Sequence, residues 1–400
     1  MWNLVLKIVF FTYYYPPDLC AGSFRAIALT DALSKRIGKN IELHIISTHP
    51  NRYEGHTIKA NDMEVHDKVT IHRISVTGHK NTMFSQARAF FQYAFSAYQL
   101  TKKLKPNFII GTTSRLMTGL LTGVAARRSG CNYFIDLRDI FSETISDIFS
   151  RKSKLLGLIF KSTFSFLEKK LLNKASGVNV VSEEFPEYFQ SNGVNISNWS
   201  FFPNGVDKDF IGLTPTKRDR SNSITTILYA GNIGSGQGLE SILPYVAKIL
   251  GDRYHFLIIG DGNTRKLLSE SIRRQNINNI KILPPVSRAK LIDYYQNADM
   301  LFLHLNSLPA FHRVLPSKIF EYAALGKPII AGLSGYSAQF LKNNVPYSSI
   351  FSPGDVDDCI NSIKEIENLH VKNKNVSIFV DKYSREKIMN KMAKHIVDFV

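Results

Sequence analysis

The chain is poor in cysteine: only Cys20, Cys131 and Cys359 occur in 400 residues, each more than a hundred positions from the next. Without a CxxC pair there is no basis for a zinc ribbon, a redox dithiol or a disulfide framework. Thiols that stay reduced fit a cytoplasmic chain. Long apolar runs are also missing, and none approaches the roughly 18 residues that cross a bilayer. Residues 1–11 are apolar, but Lys7 lies inside the run and no small-residue cleavage site follows. A buried first strand is expected there rather than a secretory signal. Acid is scarce: 33 Asp+Glu face 50 Lys+Arg, a net charge of +17. Residues 1–207 and 208–400 share that excess almost evenly, so it is no basic tail. It calls for an anionic partner, such as nucleic acid, an anionic membrane surface or a phosphorylated substrate. The absence of a helix-turn-helix, zinc-finger or RNP signature argues against nucleic acid.

What is present is a soluble globular composition, 44% apolar and 21% charged, long enough for two to three domains. Short apolar runs alternate with segments of helical spacing. In the first half, strands are expected at 4–12, 41–47, 70–76, 107–112, 133–137 and 177–181. Helices are expected at 23–37, 84–104, 116–128 and 152–174. Residues 212–223 carry Pro215, Arg218, Arg220 and several Ser/Thr with almost nothing apolar, which reads as a linker. A second series follows, with strands near 226–230, 256–259, 280–283, 300–305, 328–331 and 349–351, separated by helices. Such alternation predicts parallel sheets covered by helices on both faces, hence an α/β protein of two Rossmann-like domains. The expected division is an N-terminal acceptor-binding domain at 1–210, a linker at 211–223 and a nucleotide-sugar-binding domain at 224–380. A C-terminal helix at 381–400 is expected to pack back on the first domain. Ligands of open parallel sheets bind beyond the carboxyl ends of the strands, so a cleft with those ends facing each other is the expected site.

Four strand-to-helix turns carry the candidate chemistry. Gly22, in Cys20-Ala21-Gly22-Ser23, lets backbone approach a ligand beside a helix start. Gly231-Asn232-Ile233-Gly234-Ser235-Gly236-Gln237-Gly238 is glycine-rich and suits a pyrophosphate, though it is neither a Walker A loop nor a strict G-x-G-x-x-G. Gly260-Asp261-Gly262 allows close packing around a nucleoside. In Arg313-Val314-Leu315-Pro316-Ser317-Lys318-Ile319-Phe320-Glu321, Ser317 is placed to cap a helix with Lys318 in its first turn. A cation there opposes the helix dipole unless an anion sits beside it, and Glu321, one turn on, can accept from ribose hydroxyls. The plainer alternative is a surface Lys–Glu pair. Two D-x-D strings, Asp207-Lys208-Asp209 and Asp355-Val356-Asp357, have the composition of metal ligands. Their context, a loop after Asn-Gly and a helix cap, argues against metal.

Taken together these motifs resemble family 4 glycosyltransferases of the GT-B fold. The likeness also includes Asp136-Leu137-Arg138-Asp139, Val181-Ser182, Pro203-Asn204-Gly205-Val206-Asp207 and Pro316-Ser317-Lys318-Ile319-Phe320-Glu321-Tyr322. It is similar above all to the bacterial branch holding N-acetylfucosaminyl and related amino-sugar transferases of O-antigen and capsule synthesis. The resemblance implies a retaining, metal-independent enzyme with no cofactor beyond its UDP-sugar donor. It places Glu321 on the ribose, and Lys318, Gly231, Asn232, Gly234, Gln237, Gly260, Gly262 and Ser317 around the donor. Gly22, Arg138 and Asp139 would stand at the catalytic position. Many members carry an Arg and a Lys where this chain has Asn232 and Gln237, a second Glu where it has Arg313, and a His where it has Arg138. Diphosphate neutralisation therefore falls to Lys318 and Arg313.

Residues 151–174 hold Arg151, Lys152, Lys154, Lys161, Lys169, Lys170 and Lys174 against Glu168 alone. Leu156, Phe160, Phe164, Leu167 and Leu171 line one helical face. This reads either as a core-packed helix or as membrane-surface binding. The aromatic segment 84–104 is expected in the core. With the net charge, the favoured acceptor is a lipid-linked saccharide, with the protein peripheral on the inner face of the plasma membrane. The competing readings are a UDP-N-acetylglucosamine 2-epimerase-like enzyme and a non-catalytic protein that binds anionic membranes.

Overall fold

The structure is a computed structural model that describes residues 5–51, 59–77, 83–113, 116–150, 153–213, 224–367, 369 and 371–400. Most of the expected linker, and Arg151 and Lys152 of the basic segment, lie outside the described residues. The chain folds into two compact units, Met1–Asn204 with Glu386–Val400, and Gly205–Arg385.

The first unit is built on strands β1 (Leu6–Phe11), β2 (Ile41–Thr48), β3 (Met63–His66), β4 (Val69–Ile74), β5 (Phe108–Thr112), β6 (Asn132–Leu137), β7 (Gly177–Val180) and β8 (Trp199–Phe201). Its helices are α1 (Ala21–Arg36), α2 (Met83–Leu104), α3 (Leu116–Ser129), α4 (Phe141–Ser150), α5 (Lys154–Leu172) and α6 (Phe185–Ser191). The sheet order is β3-β4-β2-β1-β5-β6-β7-β8. All neighbours are parallel except the β3–β4 hairpin, whose turn uses Asp67 at φ 50°. Side chains alternate across β1. Ile8 and Phe10 join Ala26, Leu29 and Leu33 of α1 on one face. Val9 and Phe11 join Phe90 and Tyr93 of α2, Leu121 and Ala125 of α3 and Leu171 of α5 on the other. Both faces of the central strands β1, β2, β5, β6 and β7 are dry over most of their length, which is why they read as continuous apolar runs.

The second unit has strands β9 (Thr225–Asn232), β10 (Tyr254–Asp261), β11 (Ile280–Leu283), β12 (Met300–His304), β13 (Ile329–Gly332) and β14 (Ser348–Phe351). Its helices are α7 (Leu239–Leu250), α8 (Arg265–Arg274), α9 (Arg288–Asn297), α10 (Ser317–Ala324), α11 (Gly335–Asn344), α12 (Val356–Ile366) and α13 (Asn373–Tyr383). The sheet runs β11-β10-β9-β12-β13-β14, all parallel. In order of appearance that is 3-2-1-4-5-6, the dinucleotide-fold order, with its switch point between β9 and β12. Alternation again feeds two cores. Ile227 and Tyr229 of β9 face α7, α8 and α12, whereas Leu228 and Ala230 face α9, α10, α11 and α13.

Two expectations change, and the C-terminal helix is α14 (Arg385–Val397), preceded by α13, which ends at Tyr383. Ile388, Met389, Met392, Ala393 and Ile396 of α14 enter the α1 side of the first core. Helix α4 was not expected; its apolar face meets α5, where the rings of Phe149 and Phe160 stack at 4.1 Å. The aromatic α2 is only half core, because Phe90 and Tyr93 are buried while Phe84, Phe91 and Phe95 are 83%, 65% and 67% exposed.

Candidate functional site

In the second unit the candidate residues converge on the carboxyl ends of β9, β10 and β12. The β9–β10 register sets Gly231 beside Gly260 and Asn232 beside Asp261. Gly260 has φ +152°, and a Cβ there would lie 1.8 Å from the Gly231 carbonyl oxygen. A Cβ on Gly262 would lie 2.2 Å from the Ile233 carbonyl oxygen. Both glycines are thus steric requirements for two turns in direct contact. The turn after β9 is braced by Asn232, whose Nδ2 donates to Gln237 Oε1 at 2.8 Å. The Ser235 N–H donates to Asn263 Oδ1 at 3.1 Å. Gly238, at φ +58°, starts α7 without any side-chain cap, so the first N–H groups of α7 remain open to an anion.

Lys318 and Glu321 stand beside that turn. A Cβ on Gly231 would be 3.7 Å from Lys318 Cε. Lys318 Nζ donates to Glu321 Oε2 at 2.9 Å and to the Tyr295 hydroxyl at 3.2 Å. Glu321 is 6% exposed, so the pair is buried rather than the surface pair considered above. Burial pushes the Glu321 carboxyl up, but Lys318, Arg288 and Arg385 together hold it below its ordinary value. Burial likewise opposes the Lys318 charge, and Glu321 more than restores it. The two groups therefore stay ionised as a preformed dipole. Ser317 does not cap α10: Pro316 occupies the cap and Ser317 is the first helical residue. Arg313 lies half-buried in the turn before α10.

The first D-x-D string has a structural role. Arg288 binds Asp207 and Asp209, Arg385 binds Asp207 at 2.9 Å, and the Arg288 guanidinium lies 4.7 Å from the centre of the Phe210 ring. In the second string Asp355 caps α12 by accepting from the Asp358 N–H. Among the described residues no cluster of three or more His, Cys, Asp or Glu has the geometry of a metal site.

In the first unit Gly22 lies in the opening turn of α1, which has no side-chain cap. Arg25, one turn on, is 1% exposed and forms a two-point bond with Asp136 at 2.8 Å. It also donates to the Pro203 and Phe202 carbonyls, while Asn179 donates to Asp136. Asp136 is therefore a structural anchor. Arg138 follows β6, its N–H donating to the Thr113 hydroxyl at 3.0 Å. Burial and the neighbouring Arg25 charge lower the Arg138 pKa, and its Nε has no partner among the described residues. Asp139 is solvent-exposed. The protein around it pushes its carboxyl up to about 6, and water at the exposed oxygens works against that rise. The structure thus brings Gly231, Asn232, Gly234, Gln237, Gly260, Gly262, Lys318 and Glu321 together in one unit, and Gly22 and Arg138 in the other. Tyr295, Arg288 and Arg385 were not anticipated. Tyr295 bonds Glu321 from 26 positions away, and Arg385 is held in place by the Val206–Ser384 bridge and by Asp207.

Two doubly wound units of this kind define a GT-B protein. Residues 216–394 match the family model described as Glycosyl transferases group 1. Over 253 residues it is 23% identical to a protein described as the colanic acid biosynthesis glycosyl transferase WcaI of Escherichia coli K12, covering 61% of each chain. It is 27% identical over 175 residues to the 2-deoxystreptamine N-acetyl-D-glucosaminyltransferase of Niallia circulans, covering 43% of this chain and 42% of that protein. The chain thus spans about three fifths or less of the length of these relatives. Among solved structures, Anabaena Alr3699/HepE in complex with UDP-glucose superposes with a TM-score of 0.68 at 15% identity, covering 99% of this chain and 100% of that one. That likeness establishes the GT-B fold along the whole chain.

Proposed function

We propose that the protein is a glycosyltransferase taking a sugar, an N-acetylated hexosamine, from a UDP-sugar and passing it to a lipid-linked saccharide in O-antigen or capsule synthesis. The reading is of a retaining enzyme without a metal, working at the inner face of the plasma membrane. One observation carries it: an uncapped glycine turn and a buried Lys318–Glu321 pair meet at the switch point of a 3-2-1-4-5-6 sheet. Departure of the sugar leaves charge on a diphosphate. Lys318 and the open N–H groups are fixed donors for that charge, and each such donor is worth about 2.7–4 kcal/mol in the transition state. Glu321 is an acceptor of the kind ribose hydroxyls require. The choice of UDP and of an N-acetylated sugar draws on the ligand of HepE and the activity of the Niallia relative. Because Asp207 and Asp209 are committed to arginines, metal-free neutralisation by Lys318 is favoured.

The membrane part rests on α2, α3 and α5, which share one side of the first sheet. Arg88, Lys102, Lys103, Arg127, Arg128, Lys161, Lys169 and Lys170 lie on these helices, and their single acid, Glu168, is buried. Exposed Phe84, Phe91 and Phe95 on α2, and Leu155, Leu158 and Phe166 on α5, stand among those cations. Apolar anchors among cations with no exposed acid complement an anionic leaflet, where each cation contributes about 1 kcal/mol. No helix among the described residues is long and apolar enough to cross a membrane. The test is a thermal-shift panel of UDP-, GDP- and dTDP-sugars, followed by transfer to a lipid-linked acceptor on phosphatidylglycerol vesicles. UDP-N-acetylhexosamines should raise the melting temperature most, and Lys318→Ala should abolish the shift. A panel with no stabilising nucleotide-sugar refutes the reading.

A further inference from the structure

His304 ends β12 and is fully buried. The Gly354 N–H donates to its Nε2 at 3.0 Å. That nitrogen therefore carries no proton, and Nδ1 must be the N–H that meets the Gln237 carbonyl at 2.5 Å. Burial lowers the pKa of the ring, which keeps it neutral in this tautomer. Phe302 and Phe351 lie nearly parallel to the imidazole, at 6.3 and 5.9 Å. A Cβ on Gly332 would come within 2.3 Å of the ring, so the neighbouring strand is kept bare to admit it. Two residues on, the Asn306 N–H donates to the Gly236 carbonyl at 2.9 Å, and its Nδ2 donates to the Ser235 carbonyl at 2.6 Å.

Three consecutive carbonyls of the turn, those of Ser235, Gly236 and Gln237, are thus drawn to the end of one strand. In a planar trans peptide the N–H points opposite to its carbonyl. Tethering Ser235 turns the Gly236 N–H away from β12. The Thr264 N–H and hydroxyl tether the Ile233 carbonyl in the same way, which turns out the Gly234 N–H. No acceptor takes either N–H among the described residues.

We infer that His304 is a positioning residue that, with Asn306, holds the carbonyls of the β9–α7 turn inward so that the N–H groups of Gly236 and of the start of α7 stay open to a nucleoside diphosphate. The inference rests on the nucleotide-sugar reading above. It makes no use of Lys318, and it assigns to an apolar-buried histidine part of the anion affinity that the missing cation at Asn232 does not supply.

The test titrates UDP, GDP and dTDP into wild type and into His304→Asn, His304→Gln and His304→Leu, with melting temperatures measured alongside. Asn keeps a donor near Nδ1 and loses the acceptor for Gly354; Gln keeps the acceptor near Nε2 and loses the donor. Wild type and His304→Asn are expected to bind within threefold of each other. His304→Gln and His304→Leu should bind roughly tenfold or more weakly, the loss of one hydrogen bond that orders charged-group recognition. Should His304→Leu fail to fold, the ranking of Asn over Gln still decides. Wild-type affinity in His304→Gln, or Asn and Gln weakened alike in step with their melting temperatures, overturns the inference while leaving the nucleotide-sugar reading standing. A wild type that binds none of the three diphosphates overturns both.

Discussion

Removing Lys318 and Glu321 together should damage the second unit less than the two single removals added up. Their side chains are 21% and 8% exposed and 2.9 Å apart. Deleting one partner of a buried pair strands the other charge, at about 3–5 kcal/mol. The partial exposure of Lys318 places Lys318→Met near the lower figure, about 3 kcal/mol. Glu321→Gln strands Lys318 against two tyrosine rings, 5.8 and 6.0 Å away, at a similar cost. The double variant leaves neither charge unpaired. Its loss should fall short of the summed single losses by about 2 kcal/mol or more, well beyond the ~0.5 kcal/mol scatter of independent sites. The measurement is urea denaturation of all four proteins, followed by a probe of the second unit. pH adds a second check. The Glu321 pKa is held below its model-compound value of 4.5, so its contribution is complete above that value and is lost as the pH falls through it to the folded-state pKa. The gap between wild type and Glu321→Gln should therefore be constant at neutral pH and shrink only in acid. Additive single losses, or a gap that widens in acid, would refute a preformed ion pair.

Two further perturbations probe the frame around the site. Gly260→Ala places a methyl carbon 1.8 Å from the Gly231 carbonyl oxygen. It should abolish nucleotide-induced thermal shifts and lower the melting temperature, whereas Gly130→Ala, with nothing within 4 Å, should show only the modest strain of its positive φ. Glu168 accepts from the Phe141 N–H at 3.0 Å, and burial pushes its carboxyl up to about 7. Because the folded pKa exceeds the unfolded one, the protonated acid favours folding, and the first unit should lose stability as the pH rises from about 4.5 through about 7. Glu168→Gln should flatten that slope, and an unchanged pH profile of unfolding would show that the carboxyl is already ionised in the fold.

The β/α alternation was legible in the sequence because strands buried on both faces must be apolar throughout, and helices that cover them on one side must not. Strand β11 falls at its expected bounds for that reason. The hairpin strand β3 was not legible, since Met63 and Val65 are exposed and the segment buries too little to leave a pattern. The exposed aromatics of α2 misled in the opposite direction. Phe91 and Phe95 have the same chemistry as buried Phe90 and Tyr93, and periodicity cannot distinguish an apolar face turned to the core from one turned outward. At the site, Gly231, Gly260, Lys318 and Glu321 could be found because each falls in a strand-to-helix turn or helix start whose residue pattern is local in the chain. His304 could not: its partners, Gln237 and Gly354, lie 67 and 50 positions away, and both offer main-chain atoms that any residue has. A neutral histidine bonded to two peptide groups leaves no complementary side chain to read. Its role becomes visible only once the sheet order places β12 against the turn after β9.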